Sequence, residues 1–116
     1  MVDSYEVILK GVKEWMLETL QTQLSNVPYE IIHNQQDCFR IVLDFEKYCI
    51  GEIIVSNAEI FAPYRYVSFE VVKDVNGVAK YVYAWYDKDP DNLVDILKHL
   101  NDGIEFILRI NNTGDG

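Results

Sequence analysis

Two residues constrain this chain more than any others: Asn76 and Gly77, set between two β-rich runs. A two-residue connection of this kind needs positive φ at both central positions, which Asn and Gly tolerate best, and it closes a hairpin as a type I′ turn. So short a turn also fixes the register of the strands expected at 65–74 and 79–87. Val75 then faces Val78, Val71 faces Val82, Phe69 faces Ala84 and Val67 faces Tyr86. That face is apolar and is expected to be the core side. The opposite face pairs Val72 with Tyr81, Glu70 with Tyr83, Ser68 with Trp85 and Tyr66 with Asp87.

The rest of the chain supplies what such a hairpin packs against. Ile8, Val12, Met16, Leu20 and Leu24 recur every fourth residue and predict an amphipathic helix over 4–25. Asp3 is its expected cap, with Glu6 as the capping-box partner. Asn26-Val27-Pro28 ends it, because the residue before a proline avoids helical backbone. The period then changes to two. Strands are expected at 29–33, 38–45 and 48–55, joined by turns at 34–37 and 46–47, with Gly51 marking a bulge. The connection 56–63 carries Ile60 and Phe61, which are expected to tuck under the core. Asp89, Pro90 and Asp91 are expected to open a last helix, with Leu93, Ile96, Leu97, Leu100, Ile104 and Ile107 as its buried stripe. The expected fold is α+β in two layers: an N-terminal helix, a five-stranded antiparallel meander and a C-terminal helix, both helices on one face of the sheet. Residues 1–110 form a single α+β domain and 111–116 a flexible tail.

At 116 residues, 49% hydrophobic and 25% charged, the chain has the size and composition of one ordinary globular domain. Nineteen acidic residues against 10 basic ones give a net charge of −9. That charge opposes binding to nucleic acid and to anionic lipid, and it suits a basic partner. No apolar run approaches the ~20 residues that span a bilayer. The first residues lack the basic and apolar regions of a signal peptide, so the expected location is cytoplasmic, with Cys38 and Cys49 reduced. Two cysteines alone make neither a disulfide framework nor a metal site. Neither His33 nor His99 is joined by a second His or Cys at zinc-ligand spacing. A thiol beside His33 would arise from neighbouring strands without any catalytic role. The acidic run at 87–91 lacks the glycine turn and distal Glu of a calcium loop. No phosphate loop or nucleophile elbow is present. No catalytic, metal-ligating or cofactor-binding residue is therefore assigned, no cofactor is expected, and the chain is expected not to be an enzyme.

What stands out is the non-core face of the hairpin. Tyr64, Tyr66, Tyr81, Tyr83 and Trp85 are expected there as an exposed aromatic patch bordered by Glu70, Asp74 and Asp87, with Arg40 of another strand extending it. Such patches mark interaction sites, and Tyr and Trp anchor interfaces. The expected partner-binding residues are Tyr64, Tyr66, Glu70, Tyr81, Tyr83, Trp85 and Asp87. A homodimer contact, or coverage by the connection at 56–63, would use the same face differently.

With Tyr66-Val67-Ser68-Phe69-Glu70-Val71-Val72 followed by Tyr81-Val82-Tyr83-Ala84-Trp85-Tyr86, this small acidic chain resembles immunity proteins of bacterial toxin systems. The resemblance runs over the whole chain in element order and charge. It implies a protein that neutralises a toxin by binding it and occluding its site. Type III secretion chaperones are a second similar group, small, acidic, α+β and dimeric, although they place a helix among the strands. The expected function is an acidic protein-binding module. The alternatives are a homodimeric structural or chaperone-like protein, and a small-molecule-binding domain with a pocket between helices and sheet.

Overall fold

The computed structural model describes residues 3–45, 49–57, 66–88 and 92–112, with side chains as far as residue 110. The elements follow the expected order: α1 (Tyr5–Gln21), β1 (Tyr29–Asn34), β2 (Cys38–Asp44), β3 (Cys49–Ser56), β4 (Val67–Val75), β5 (Val78–Tyr86) and α2 (Leu93–Asn112). The five strands lie in chain order, and every neighbouring pair is antiparallel. Both helices pack on one face. Ile8, Val12 and Met16 of α1 and Ile96, Leu100, Ile104 and Ile107 of α2 are fully buried in one cluster with Ile41, Ile53, Phe69 and Val71 of the sheet. Each such side chain contributes roughly 1.5–3 kcal/mol by leaving water. Trp15 Nε1 donates to Asn101 Oδ1 at 2.9 Å and ties the helices to each other.

The helix ends depart from expectation for local reasons. Ser4, not Asp3, caps α1, its hydroxyl accepting from Val7 N at 3.3 Å. Asp3 is used across the chain: its carboxylate accepts from Leu93 N at 2.9 Å, and its own N–H donates to Asn92 Oδ1 at 2.9 Å. Asp3 therefore supports the first turn of α2. Asn92 N also donates to Asp95 Oδ2 at 3.1 Å. The expected caps at 89–91 lie outside the described residues. α1 stops at Gln21 rather than 25. The hydroxyls of Thr19 and Thr22 bond back to the carbonyls of Trp15 and Glu18, and such back-bonding competes with the helical ladder. Leu24 remains fully buried in the turn that follows. At the other end α2 runs two residues into the expected tail.

The inner strands pair without interruption, and Gly51 sits in regular register between Leu43 and Val71 rather than at a bulge. Its lack of a side chain makes room for the ring of Phe45. The sheet's register shifts fall on its two outer strands, at Ile31/His33 of β1 and opposite Val71/Val72 on β5. The turn at 46–47, and Ile60 and Phe61 of the connection, lie outside the described residues.

Candidate interaction face of the sheet

The hairpin turn forms as expected: φ is +55° at Asn76 and +81° at Gly77. Val75 faces Val78 and Val72 faces Tyr81, as the turn dictates. The register then slips. Val71 faces Tyr83, Glu70 faces Ala84, Phe69 faces Trp85 and Ser68 faces Tyr86, leaving Val82 as an extra residue without a partner. Side chains alternate along a strand, so one extra residue turns every later one over. The expected aromatic face is thereby divided.

Tyr83 and Trp85 turn inward, which corrects their expected exposure. The Tyr83 ring lies 5.3 Å from that of Phe69 and 6.1 Å from that of Phe106, and its hydroxyl donates to the carbonyl of His99 at 3.3 Å. Burial raises the Tyr83 hydroxyl pKa above its ordinary value, and Asp102 adds to the effect. Trp85 stacks on the imidazole of His99, with ring centroids 4.7 Å apart and planes 17° apart. Gly103 of α2 lets this happen, since a Cβ there would lie 2.7 Å from Phe69 Cε2 and 2.8 Å from Tyr83 Cε2. Burying a large side chain contributes up to roughly 1.5–3 kcal/mol. A ladder hydrogen bond contributes about 0.5–1.5 kcal/mol net. Two rings gained against one disrupted rung favours the bulge.

Two further expected site residues are also taken up by the fold. Asp87 is fully buried, not part of an exposed rim. Its Oδ1 accepts from Tyr66 N at 2.8 Å and Val67 N at 2.7 Å, and its own N–H donates to Val67 O at 3.0 Å. It closes the start of β4 against the end of β5. Tyr66 is half-buried, its ring tilted against Tyr5 of α1 at 5.3 Å. Tyr64 lies outside the described residues. Of the seven expected residues, Tyr81 and Glu70 stand on the helix-free face. Tyr81 is 67% exposed, and Glu70 accepts a hydrogen bond from the Tyr86 hydroxyl, which the bulge has brought outward.

Strand register places the rest of that face. Arg40, Val42 and Asp44 of β2, Ile50, Glu52 and Ile54 of β3, and Glu70, Val72 and Asp74 of β4 share it. Glu30 and His33 of β1 adjoin Val42 and Arg40. Glu52 and Glu70 are directly opposed across β3 and β4. Arg40 supports Glu52 with Nε at 2.7 Å and Nη2 at 2.6 Å from one carboxylate oxygen. The row Arg40, Glu52, Glu70, Tyr86 is thus two like charges side by side with a donor at each flank. Apolar Ile54 lies on one side of it, and Ile50, Val72 and Tyr81 on the other. Glu52, Ile50 and Ile54 were absent from the expected site. The alternation of the third strand carries the signal that would have found them.

Cys38 and Cys49 are free and buried. Burial pushes both thiols up, with Asp37 adding to and Arg40 opposing the effect at Cys38, and Lys73 opposing it at Cys49. Among the described residues no group of His, Cys, Asp and Glu could hold a metal ion, and no helix is long and apolar enough to cross a membrane. Compared with known protein families, with curated proteins and with solved structures, the chain has no match in any of the three.

Proposed function

We propose that the chain is a non-catalytic binding protein that engages a basic protein partner through the helix-free face of its sheet. The observation that carries this reading is the composition of that face. Five carboxylates, those of Glu30, Asp44, Glu52, Glu70 and Asp74, share it with Ile50, Ile54, Val72 and Tyr81, the Glu52–Glu70 pair standing between Ile54 and the other three, and Arg40 is the guanidinium among them. Exposed apolar side chains set among charged ones mark interaction surfaces. A face of one sign steers a partner of the other and speeds encounter. Like charges placed directly opposite on a sheet destabilise it, so a cation brought by a partner would relieve the Glu52–Glu70 pair. Neutralising a toxin by occluding a basic site, as immunity proteins do, is the form of this reading that a small acidic chain favours.

The test is a photo-crosslinking residue at Tyr81, compared with one at Leu17, which is exposed on α1. Capture at position 81 of a basic protein, with affinity that falls steeply with salt and in Glu52→Lys and Glu70→Lys, is the expected result. Capture from position 17 alone refutes the reading. A crosslink from position 81 to a second copy of the chain replaces it with self-association.

A further inference from the structure

A pocket of about 310 Å³ opens on the helix-free face, where the start of β1 meets the end of β2 and the start of β3. It is lined by Pro28, Tyr29, Glu30, Val42, Asp44 and Ile50. Strand register accounts for the arrangement. Glu30 faces Val42, and Asp44 faces Ile50. The N–H of Asp44 donates to the carbonyl of Pro28 at 2.9 Å, which carries the β1–β2 ladder one residue further and sets Pro28 beside Asp44. Residues two apart on a strand share a face. Pro28, Asp44, Val42 and Glu30 are therefore four corners of one patch, with the carboxylates on one diagonal and the apolar side chains on the other. Diagonal neighbours on such a ladder lie about 7–8 Å apart.

Size, lining and charge together select what enters. The volume sits at the lower end of the range of ligand sites, roughly 300–1,000 Å³, which suits one long side chain better than a cofactor. The apolar lining is open to solvent, Tyr29 being 53% and Ile50 40% exposed. The charge of the lining is of one sign. Arg40, the guanidinium of this face, is held by Glu52 in the next row. Among the described residues Glu30 makes no ion pair. An occupant complementary to this pocket carries a cation at its tip and an apolar body behind it.

We propose, resting on the reading of the helix-free face given above, that this pocket receives a single arginine side chain of the basic partner, its guanidinium between the carboxylates of Glu30 and Asp44. Shape decides between the two cationic side chains. The carboxylates stand at opposite corners, and a planar guanidinium holds its N–H donors in a fixed fork, so separate edges serve the two acceptors. Its faces are weakly hydrated and stack on an aromatic ring, which Tyr29 offers, while Val42 and Ile50 take the aliphatic stem. A lysine ammonium is a compact, strongly hydrated point charge with no flat face to set against these walls. Arginine is also the cation enriched among the residues that carry most of an interface's binding energy.

The experiment is an amide NMR titration of the isotope-labelled chain with three peptides, acetyl-Ala-X-Ala amide, in which X is arginine, lysine or citrulline. Citrulline keeps the shape of arginine and carries no charge. The arginine peptide is expected to give saturable shifts at millimolar concentration, confined to residues around Glu30, Val42, Asp44 and Ile50. The lysine peptide should bind about threefold more weakly or less, and the citrulline peptide should not saturate. Glu30→Gln and Asp44→Asn should each weaken the arginine peptide about threefold to fivefold, the scale of an exposed ion pair, with the remaining spectrum unchanged. Glu105→Gln removes the same charge from α2, in the other layer, and should leave binding as it was. No saturable shifts with arginine, shifts centred elsewhere, equal binding of lysine or citrulline, or full binding in the Glu30 and Asp44 variants overturns the proposal. The peptides need no partner, so the two possible failures are separate. Loss of arginine binding with capture at position 81 intact strikes the pocket alone, whereas capture from position 17 alone strikes the reading of the face whatever the peptides do.

Discussion

Replacing Gly103 by alanine measures whether Tyr83 truly faces α2. In the interior of a helix, alanine is favoured over glycine by about 1 kcal/mol. Against that gain, the new methyl would lie 2.7 Å from Phe69 Cε2 and 2.8 and 2.9 Å from Tyr83 Cε2 and Cζ. Phe69 is fully buried and has nowhere to retreat. Overpacking of this kind costs about 1–3 kcal/mol. The net expectation is a loss of about 1 kcal/mol, read as a lower urea midpoint at unchanged slope and a melting temperature lower by about 4 °C. Part of the clash belongs to Phe69, so the Tyr83 contribution is isolated by a double-mutant cycle. In a Tyr83→Ala background the same change should cost less, with a coupling of at least about 0.5 kcal/mol. If Gly103→Ala stabilises the protein, or couples to Tyr83 by no more than experimental error, the inward placement of Tyr83 and the bulge that produces it are refuted.

Three further measurements probe other parts of the account. Asp87→Ala should cost about 3 kcal/mol in urea unfolding, because it orphans the N–H groups of Tyr66 and Val67; a change within about 0.5 kcal/mol would instead mark an exposed residue. Burial pushes the Tyr5 pKa up to about 12, with Cys38, Asp37 and Glu6 adding. Below the unfolded value of about 10, both states keep the proton and stability is unaffected. Between about 10 and 12 only the unfolded state releases it, so stability should fall as pH rises through that window. Tyr5→Phe should flatten part of this fall, the raised Tyr83 accounting for more, and an unchanged slope would refute the assignment. Gly77→Ala places a side chain at φ +81° and should cost about 1 kcal/mol or more; a neutral result would argue against the type I′ turn.

The element order was legible in the sequence because each element writes its own period. The stripe from Ile8 to Leu24 and that from Leu93 to Ile107 repeat at helical spacing, while 38–45 alternates, and Asn76-Gly77 fixes the hairpin. The candidate site was legible only up to the bulge. An extra residue in a strand leaves the composition unchanged, and Tyr81-Val82-Tyr83-Ala84-Trp85-Tyr86 reads as a good strand in either register. The hints were small residues: Ala84, too small for the core position opposite Phe69 that simple register assigned it, and Gly103, which opens the space Tyr83 fills. Asp87 was misplaced for a related reason. Its two backbone donors are 20 and 21 residues earlier in the chain, and no local pattern announces so distant a pairing. The contact of Asp3 with α2 spans about ninety residues and was invisible for the same reason.

The two register shifts have a consequence for how copies of this chain meet. An open sheet ends in two rows of unpaired backbone groups, which invite templated growth into cross-β stacks. Here the shifts fall on the outermost strands, β1 and β5, while the three inner strands run in unbroken register. A strand kinked by an extra residue is a poor template, because an incoming chain cannot match its pleat along the full length. The bulge that turns Tyr83 and Trp85 toward the helix therefore also blunts one border of the sheet, and its counterpart at Ile32 blunts the other. The same single-residue insertion that decides which side chains the helix-free face presents works against runaway fibre growth at the sheet's rim.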